Sequence, residues 1–177
     1  MRYNRTIAIY GKYGKEKGNM LKNWNKPRCP EEEELLTRLK AARERLTVQQ
    51  MQIKEKKLPV FILFEGWGAA GKGSVLGKVI RNIDPRFFQV ATMGKPTEEE
   101  ARKPFLYRYF VQIPEAGKFK FLDGGWMDEI TQAVLYKKTD EEHYKEQIES
   151  VRRFERQLTD NGYLVVKFFF QISEKFS

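Results

Sequence analysis

The sequence predicts an α/β fold, a mostly parallel sheet with helices on both faces, and three observations carry that prediction. Residues 60–64, Val-Phe-Ile-Leu-Phe, form an unbroken apolar run of the length and side-chain types of a strand buried on both faces, the pattern of a central strand in a parallel sheet. The run leads directly into a glycine-rich turn, Gly66-Trp67-Gly68-Ala69-Ala70-Gly71-Lys72, and a helical pattern follows. Beyond it, helical and strand-like segments keep alternating, as parallel strands joined by helical crossovers demand.

The elements follow in order. Residues 1–28 mix Gly, Lys, Asn and Tyr, as in Tyr10-Gly11-Lys12-Tyr13-Gly14-Lys15, with no sustained period. No element is assigned there, and residues 1–30 are expected to form a basic, loosely ordered arm ahead of a folded domain over 31–177. Pro30 and the acids Glu31 to Glu34 open a helix with negative charge at the positive end of its dipole. Leu35, Leu39, Ala42, Leu46 and Ile53 fall mostly on one face, which predicts a helix over 31–57, ended by Leu58-Pro59. After the central strand and the glycine turn, residues 74–82 read as a helix stopped near Asp84-Pro85. Residues 87–93 are a second strand, 98–111 a helix interrupted or begun by Pro104, and 119–122 a short third strand. Thr139-Asp140 opens a long helix to about Thr159, with Ile148, Val151, Phe154 and Leu158 at spacings of three and four, and Asn161-Gly162 closes it. Residues 163–172 make the last strand.

A length of 177 residues suits one domain, and 41% apolar with 14% aromatic residues exclude a wholly disordered chain. Mean hydropathy is −0.64. No apolar run approaches the roughly 18 residues that would span a bilayer, and Met1-Arg2-Tyr3-Asn4-Arg5 leads into no signal-type core, so a cytoplasmic protein with no membrane partner is expected. The single cysteine, Cys29, and single histidine, His143, supply neither an internal disulfide nor a zinc set. The net charge of +9 is unevenly spread: residues 1–60 carry 15 Lys/Arg against 7 Asp/Glu, residues 61–177 carry 18 against 17. A basic front suits a polyanion, nucleic acid or polyphosphate, or else is a solvated tail. No RNA- or DNA-binding module is recognisable.

The glycine turn has the G-x-x-x-x-G-K spacing between a buried strand and a helix. Its glycines let the loop curl so that successive N–H groups point inward, the helix adds its positive end, and Lys72 can reach a terminal phosphate. Gly66, Gly68, Ala69, Ala70, Gly71, Lys72, Gly73 and Ser74 are therefore the expected phosphate cradle. Gly73 stands where most such loops carry the Ser or Thr that coordinates magnesium, and Ser74 is one place late. At the end of the third strand, Asp123 occupies the place of a Walker-B acid and is the candidate magnesium ligand; an Asp in a glycine turn is the alternative.

The stretch Phe64-Glu65-Gly66-Trp67-Gly68-Ala69-Ala70-Gly71-Lys72-Gly73-Ser74 resembles the Walker A segment of the polyphosphate kinase 2 family, in which glycine follows the lysine. The resemblance extends through Asn82-Ile83-Asp84-Pro85-Arg86, Pro96-Thr97-Glu98-Glu99-Glu100, Arg108-Tyr109, Ile113-Pro114-Glu115-Ala116-Gly117 and Phe154-Glu155. It implies a thymidylate-kinase-like P-loop fold and Mg2+-dependent phosphoryl transfer between inorganic polyphosphate and a nucleoside mono- or diphosphate. Within it, Lys72, Asp123 and Arg108 are the expected catalytic residues, and Arg81 and Arg86 further charge partners for phosphate. Gly68 replaces the family's acid, and Asp123-Gly124-Gly125-Trp126-Met127 keeps the Asp and Trp of Asp-Arg-Ser-Trp-Tyr but loses its arginine. Members continue past the last strand into further helices and a basic lid, while this chain stops at Ser177, so Val165, Phe168 and Phe170 are expected to lack cover on one side. Ala101-Arg102-Lys103-Pro104 looks like the first domain of tandem members that phosphorylate AMP. Two readings follow: a phosphotransferase, degenerate or partial, and a non-catalytic module that holds polyphosphate or dimerises, as a homo-oligomer or beside a fused second domain.

Overall fold

The computed structural model describes residues 6–9, by backbone alone, and residues 31–170. The elements are β1 (Thr6–Ile9), α1 (Glu32–Glu55), β2 (Val60–Gly66), α2 (Lys72–Ile80), a 3-10 turn (Pro85–Phe87), β3 (Phe88–Thr92), α3 (Glu98–Ala101), α4 (Tyr107–Phe110), β4 (Phe119–Asp123), α5 (Trp126–Leu135), α6 (Glu141–Asp160) and β5 (Leu164–Phe170). Five strands pair in the order β1-β5-β2-β4-β3, every pair parallel. The apolar run of β2 occupies the centre, and Val60 through Phe64 are all buried.

Alternation along the strands divides the core. Phe61 and Leu63 of β2, Leu122 of β4 and Val165 of β5 turn to one face, where Tyr109 of α4, Trp126 and Ile130 of α5, and Val151, Phe154 and Leu158 of α6 cover them. Val60, Ile62 and Phe64 turn to the other with Phe119 and Phe121, under Leu76 of α2 and the half-buried Leu46 and Ile53 of α1. Helices thus cover both faces, as the sequence predicts.

Three readings are corrected: the arm, residues 126–135 and the cover of Val165. Thr6–Ile9 of the arm pairs in register with β5, Thr6 opposite Val165, so a strand stands where no periodicity marked one; the remaining arm residues and Cys29 lie outside the described residues. The interruption expected at Pro104 is present: residues 98–111 form two short pieces, α3 and α4, because Pro104 between them supplies no N–H and restricts the residue before it. Residues 126–135, to which no element was assigned, form the amphipathic helix α5. Val165 is fully buried beneath α5 and α6, whereas Phe168 and Phe170, on the opposite face, stay partly exposed as expected, with ring centroids 5.3 and 5.6 Å from that of Phe64. The exposed aromatic of β5 is Phe169. Residues 171 and 172 of the expected last strand lie outside the described residues.

Candidate active site: the carboxyl edge of the sheet

All strands are parallel, so the loops leaving β2, β3 and β4 gather at one edge. Backbone bonds stitch them: Gly124 N donates to Phe64 O at 2.9 Å, Met93 N to Asp123 O at 2.9 Å, and Trp67 N to Phe170 O at 3.1 Å. Gly66 ends β2 at φ +126°, and a side chain there would meet the backbone oxygen of Phe170 at 2.0 Å, so only glycine fits. The loop closes with Ala70 N on Trp67 O at 3.1 Å, and Gly71 at φ +81° turns the chain into α2, with Lys72 as its first residue and Gly73 and Ser74 in its first turn. Curled loop and helix start leave the amides of this stretch without helical partners, the arrangement that receives an anion.

Lys72 reaches back over the loop. Its Nζ donates to Gly66 O at 2.6 Å and Trp67 O at 3.2 Å and lies 3.7 Å from Asp128 Oδ2. Asp128 Oδ1 accepts the Gly66 N–H at 2.7 Å, so one carboxylate ties the first turn of α5 to the start of the phosphate loop. Burial holds the Asp128 carboxyl above its usual range, against the opposing pull of the Gly66 N–H and Lys72. Asp123 ends β4 beside the loop: a side chain at Gly73 would have its first carbon 3.5 Å from Asp123 Oδ2. The place from which other P-loops present a hydroxyl to magnesium therefore faces the expected Walker-B acid.

Beneath the loop sits a second set of polar groups. Glu65 is 4% exposed, and its Oε1 accepts from Met127 N, in the first turn of α5, at 3.0 Å. Burial raises its pKa to about 7, with Asp128 and Glu155 nearby adding to the effect and the Met127 N–H opposing it. Lys167 Nζ and Trp126 Nε1 both donate to Glu155 Oε1, at 2.7 and 2.9 Å.

A cavity of about 720 Å³ opens beside the loop, lined by Lys72, Asp123, Asp128, Glu129, Thr92 to Pro96, and Gln132, Tyr136 and Lys138. Arg108 is not among its walls but braces them. It is buried, its Nη2 donates to Gly94 O at 2.9 Å, and its guanidinium pairs with Glu129 at 3.3 Å and Glu100 at 3.7 Å. Tyr109 donates to the same Glu129 oxygen at 2.7 Å. The other two arginines are not brought to the loop. Arg81 ends α2, about 13 Å along the axis from its start. Arg86 precedes β3 at the opposite edge of the sheet, clasped by Asp84 at 2.6 Å.

The structure thus brings Lys72, Asp123 and residues 66–74 of the expected site together, and beside them stand Glu65, Asp128 and Glu129, which the sequence reading did not include. For the last two a signal existed: Trp126, Ile130, Ala133 and Val134 repeat at helical spacing directly after Asp123. For Glu65 none did, since an acid ending an apolar strand reads like the start of a turn.

A parallel sheet whose central strand runs through a glycine cradle into a helix, with a lysine over the cradle and an acid at the end of the neighbouring strand, defines a P-loop phosphate-binding domain. The profile of the family Polyphosphate kinase 2 matches residues 13–176, and the chain belongs to that family. The match begins inside the segment read as an arm. The chain is 33% identical over 135 residues to a polyphosphate:AMP phosphotransferase of Pseudomonas syringae pv. tomato, covering 76% of this chain and 27% of that one. It is 30% identical over 132 residues to ADP-polyphosphate phosphotransferase 3 of Rhizobium meliloti, covering 75% and 46%. A crystal structure described as a polyphosphate kinase 2 of Pseudomonas aeruginosa PA01 superposes with a TM-score of 0.77 at 29% identity, over 82% of this chain and 32% of that one. Polyphosphate Kinase 2 of Arthrobacter aurescens TC1 superposes at 0.75 and 25% identity, over 77% and 50%. The chain spans between about a quarter and a half of the length of these relatives.

Proposed function

We propose that this chain carries the polyphosphate-binding and transfer half of a polyphosphate-dependent nucleotide phosphotransferase. The observation that supports the reading best is Lys72 lying over the loop within reach of Asp128, with Asp123 against the first turn of α2. The loop amides and Lys72 hold the terminal phosphates of the donor and stabilise charge on the transferring group. The cavity beside Asp123, walled by Thr92 to Pro96 on one side and α5 on the other, receives the acceptor phosphate of a nucleoside mono- or diphosphate. Arg108 acts through Gly94 and Glu129 and is a positioning residue in this scheme.

A divalent cation fits the donors present. No group of three or more His, Cys, Asp and Glu stands ready to cage a metal among the described residues, but Asp123 and Asp128 both face the loop. Magnesium is held in such sites by one or two carboxylates completed by phosphate oxygens and water. Bound there, it would supply charge neutralisation to the phosphate groups.

The second reading, a domain that binds polyphosphate without turning it over, is favoured by Gly68 and Gly124, which stand where relatives of the family pattern carry an acid and an arginine. The two separate in one assay on the purified chain. With polyphosphate as donor and AMP, ADP, GMP and GDP offered in turn with Mg2+, transfer to one acceptor is expected, and Lys72→Ala abolishes both transfer and polyphosphate binding. Tight binding with no transfer selects the second reading. Binding unchanged by Lys72→Ala at fixed salt overturns both.

A further inference from the structure

We infer that the cavity beside the phosphate loop selects a 6-keto purine, guanine above adenine, through Tyr136 and Lys138 at the end of α5; this rests on the acceptor role proposed for that cavity. One face of α5 supplies the wall. Asp128, Gln132 and Tyr136 follow one another at intervals of one helical turn, so they share that face, and all three line the cavity. Each step advances about 6 Å, which sets Tyr136 about 12 Å along the helix from the carboxylate beside Lys72. A nucleotide with its phosphate near Lys72 and Asp123 therefore lays its ribose along Gln132 and its base against Tyr136. The cavity, of about 720 Å³, is large enough to enclose a ligand of that size.

The end of α5 turns the base-reading groups inward. Lys137 holds φ +52°, left-handed backbone that a residue with a side chain rarely adopts. Its N–H donates to Val134 O at 3.0 Å, and the Lys138 N–H donates to Ala133 O at 2.8 Å. That closure folds the chain back along the helix, so Lys138 returns to the cavity with its Nζ 5.9 Å from the centre of the Tyr136 ring. The ring is 70% exposed at the cavity wall, a platform on which a flat base stacks. Charge then decides the base. The carboxylates of the cavity, Asp123, Asp128 and Glu129, belong to its phosphate end, and Glu129 is already held by Arg108 and Tyr109. Lys138 has no carboxylate partner among the described residues, so the base end presents a free ammonium, which only donates. Guanine meets a donor with two acceptors, O6 and N7, whereas adenine carries in place of O6 the N6 amino group, itself a donor. A pyrimidine would offer Tyr136 less surface to stack on.

Titration of the full 177-residue chain with GMP, IMP and AMP at fixed salt, with Mg2+ present and polyphosphate absent, tests this. IMP carries O6 and N7 without the N2 amino group of guanine, so it isolates the contact to Lys138. GMP and IMP are expected to bind on the order of tenfold more tightly than AMP. Lys138→Met keeps the reach of the side chain without its charge and should abolish that preference. Lys138→Glu should reverse it, because a carboxylate accepts from N6. Tyr136→Ala should weaken all three nucleotides alike, and Tyr136→Phe should hold them as the parent does, since the ring stacks without its hydroxyl. Both side chains are exposed, so the variants keep the fold, and the preference is a ratio of affinities that a general loss of folded protein would not move. Equal affinity for the three nucleotides, IMP bound no better than AMP, or a preference that survives Lys138→Met would each overturn selection by Lys138 while leaving polyphosphate-dependent transfer to some acceptor intact. No binding of any of the three would overturn it together with the acceptor site itself.

Discussion

Glu65 is an acid buried where the phosphate loop begins, and its position has a consequence for stability. Its pKa rises from 4.5 to about 7 on folding, chiefly by desolvation. Between those values the folded chain binds the proton and the unfolded chain does not, so stability falls as pH rises through that window and levels off above pH 7. The shift corresponds to roughly 3 kcal/mol at the upper plateau. Glu65→Gln keeps an oxygen for the Met127 N–H and removes the titration. It is expected to be more stable than the parent at pH 8, equal to it near pH 4.5, and flat between, as measured by urea denaturation across that range. A variant that loses stability at pH 8 would show that the ionised form is the one the fold holds. The two glycines that depart from the family pattern also differ at this scale. A side chain at Gly68 meets nothing within 4 Å, whereas Gly124 sits at φ +91° with Met93 O 3.1 Å from where its first carbon would lie. Gly68→Asp should therefore change stability by less than about 0.5 kcal/mol. Gly124→Arg should cost at least about 1–2 kcal/mol in backbone strain alone. Equal melting temperatures for the two variants would contradict this.

At the scale of elements, what could be read from sequence tracks how far each element depends on its own residues. The strand of residues 60–64, the G-x-x-x-x-G-K loop and the α6 stripe of Ile148, Val151, Phe154 and Leu158 carry their pattern locally, and each is found where expected. β1 does not: Thr6–Ile9 becomes a strand because β5 offers it an open edge, a tertiary cause that no window of four residues reveals. Glu65 and Asp128 are likewise brought to the loop by juxtaposition, being 63 residues apart in sequence and joined through the Gly66 and Met127 amides. The short helix α3 shows a local signal with a distant purpose. Thr97 and Glu100 form a reciprocal capping box, Glu100 N on Thr97 Oγ1 at 3.2 Å and Thr97 N on Glu100 Oε2 at 2.9 Å. The same Glu100 lies 3.7 Å from Arg108, which holds Gly94 in the cavity wall. Thr97→Ala is expected to cost about 1 kcal/mol. If α3 positions Arg108 as described, the variant should also weaken acceptor binding more than polyphosphate binding, a split readable by separate titrations of the two ligands. An equal loss of both would place the effect in the fold and not in the arginine.

For the whole molecule, the two cores are the two sides of one sheet. β2 sends Phe61 and Leu63 to one face and Ile62 and Phe64 to the other, and β4 divides Leu122 from Phe121 in the same way. No residue of the central strands can be released toward one side without shifting its neighbour on the other, so the faces should unfold together. Trp126 lies wholly in the α5 and α6 face, edge-on to Phe61 at 5.8 Å and to Phe154 at 5.4 Å. With Trp24 and Trp67 replaced by Phe, its fluorescence reports that face. Phe64 lies in the opposite face, stacked on Phe170 at 5.6 Å. Phe64→Ala removes a fully buried ring and is expected to cost about 3–5 kcal/mol. That is a large part of the roughly 5–15 kcal/mol that stabilises an ordinary domain. In urea, the tryptophan signal and the far-UV circular dichroism signal of the variant should move to lower midpoint together, although the substituted ring never touches the α5 face. A tryptophan transition that keeps its parental midpoint while the dichroism shifts would mean that the faces fold separately. In that case the phosphate loop, which leaves β2 between them, could not be held by both.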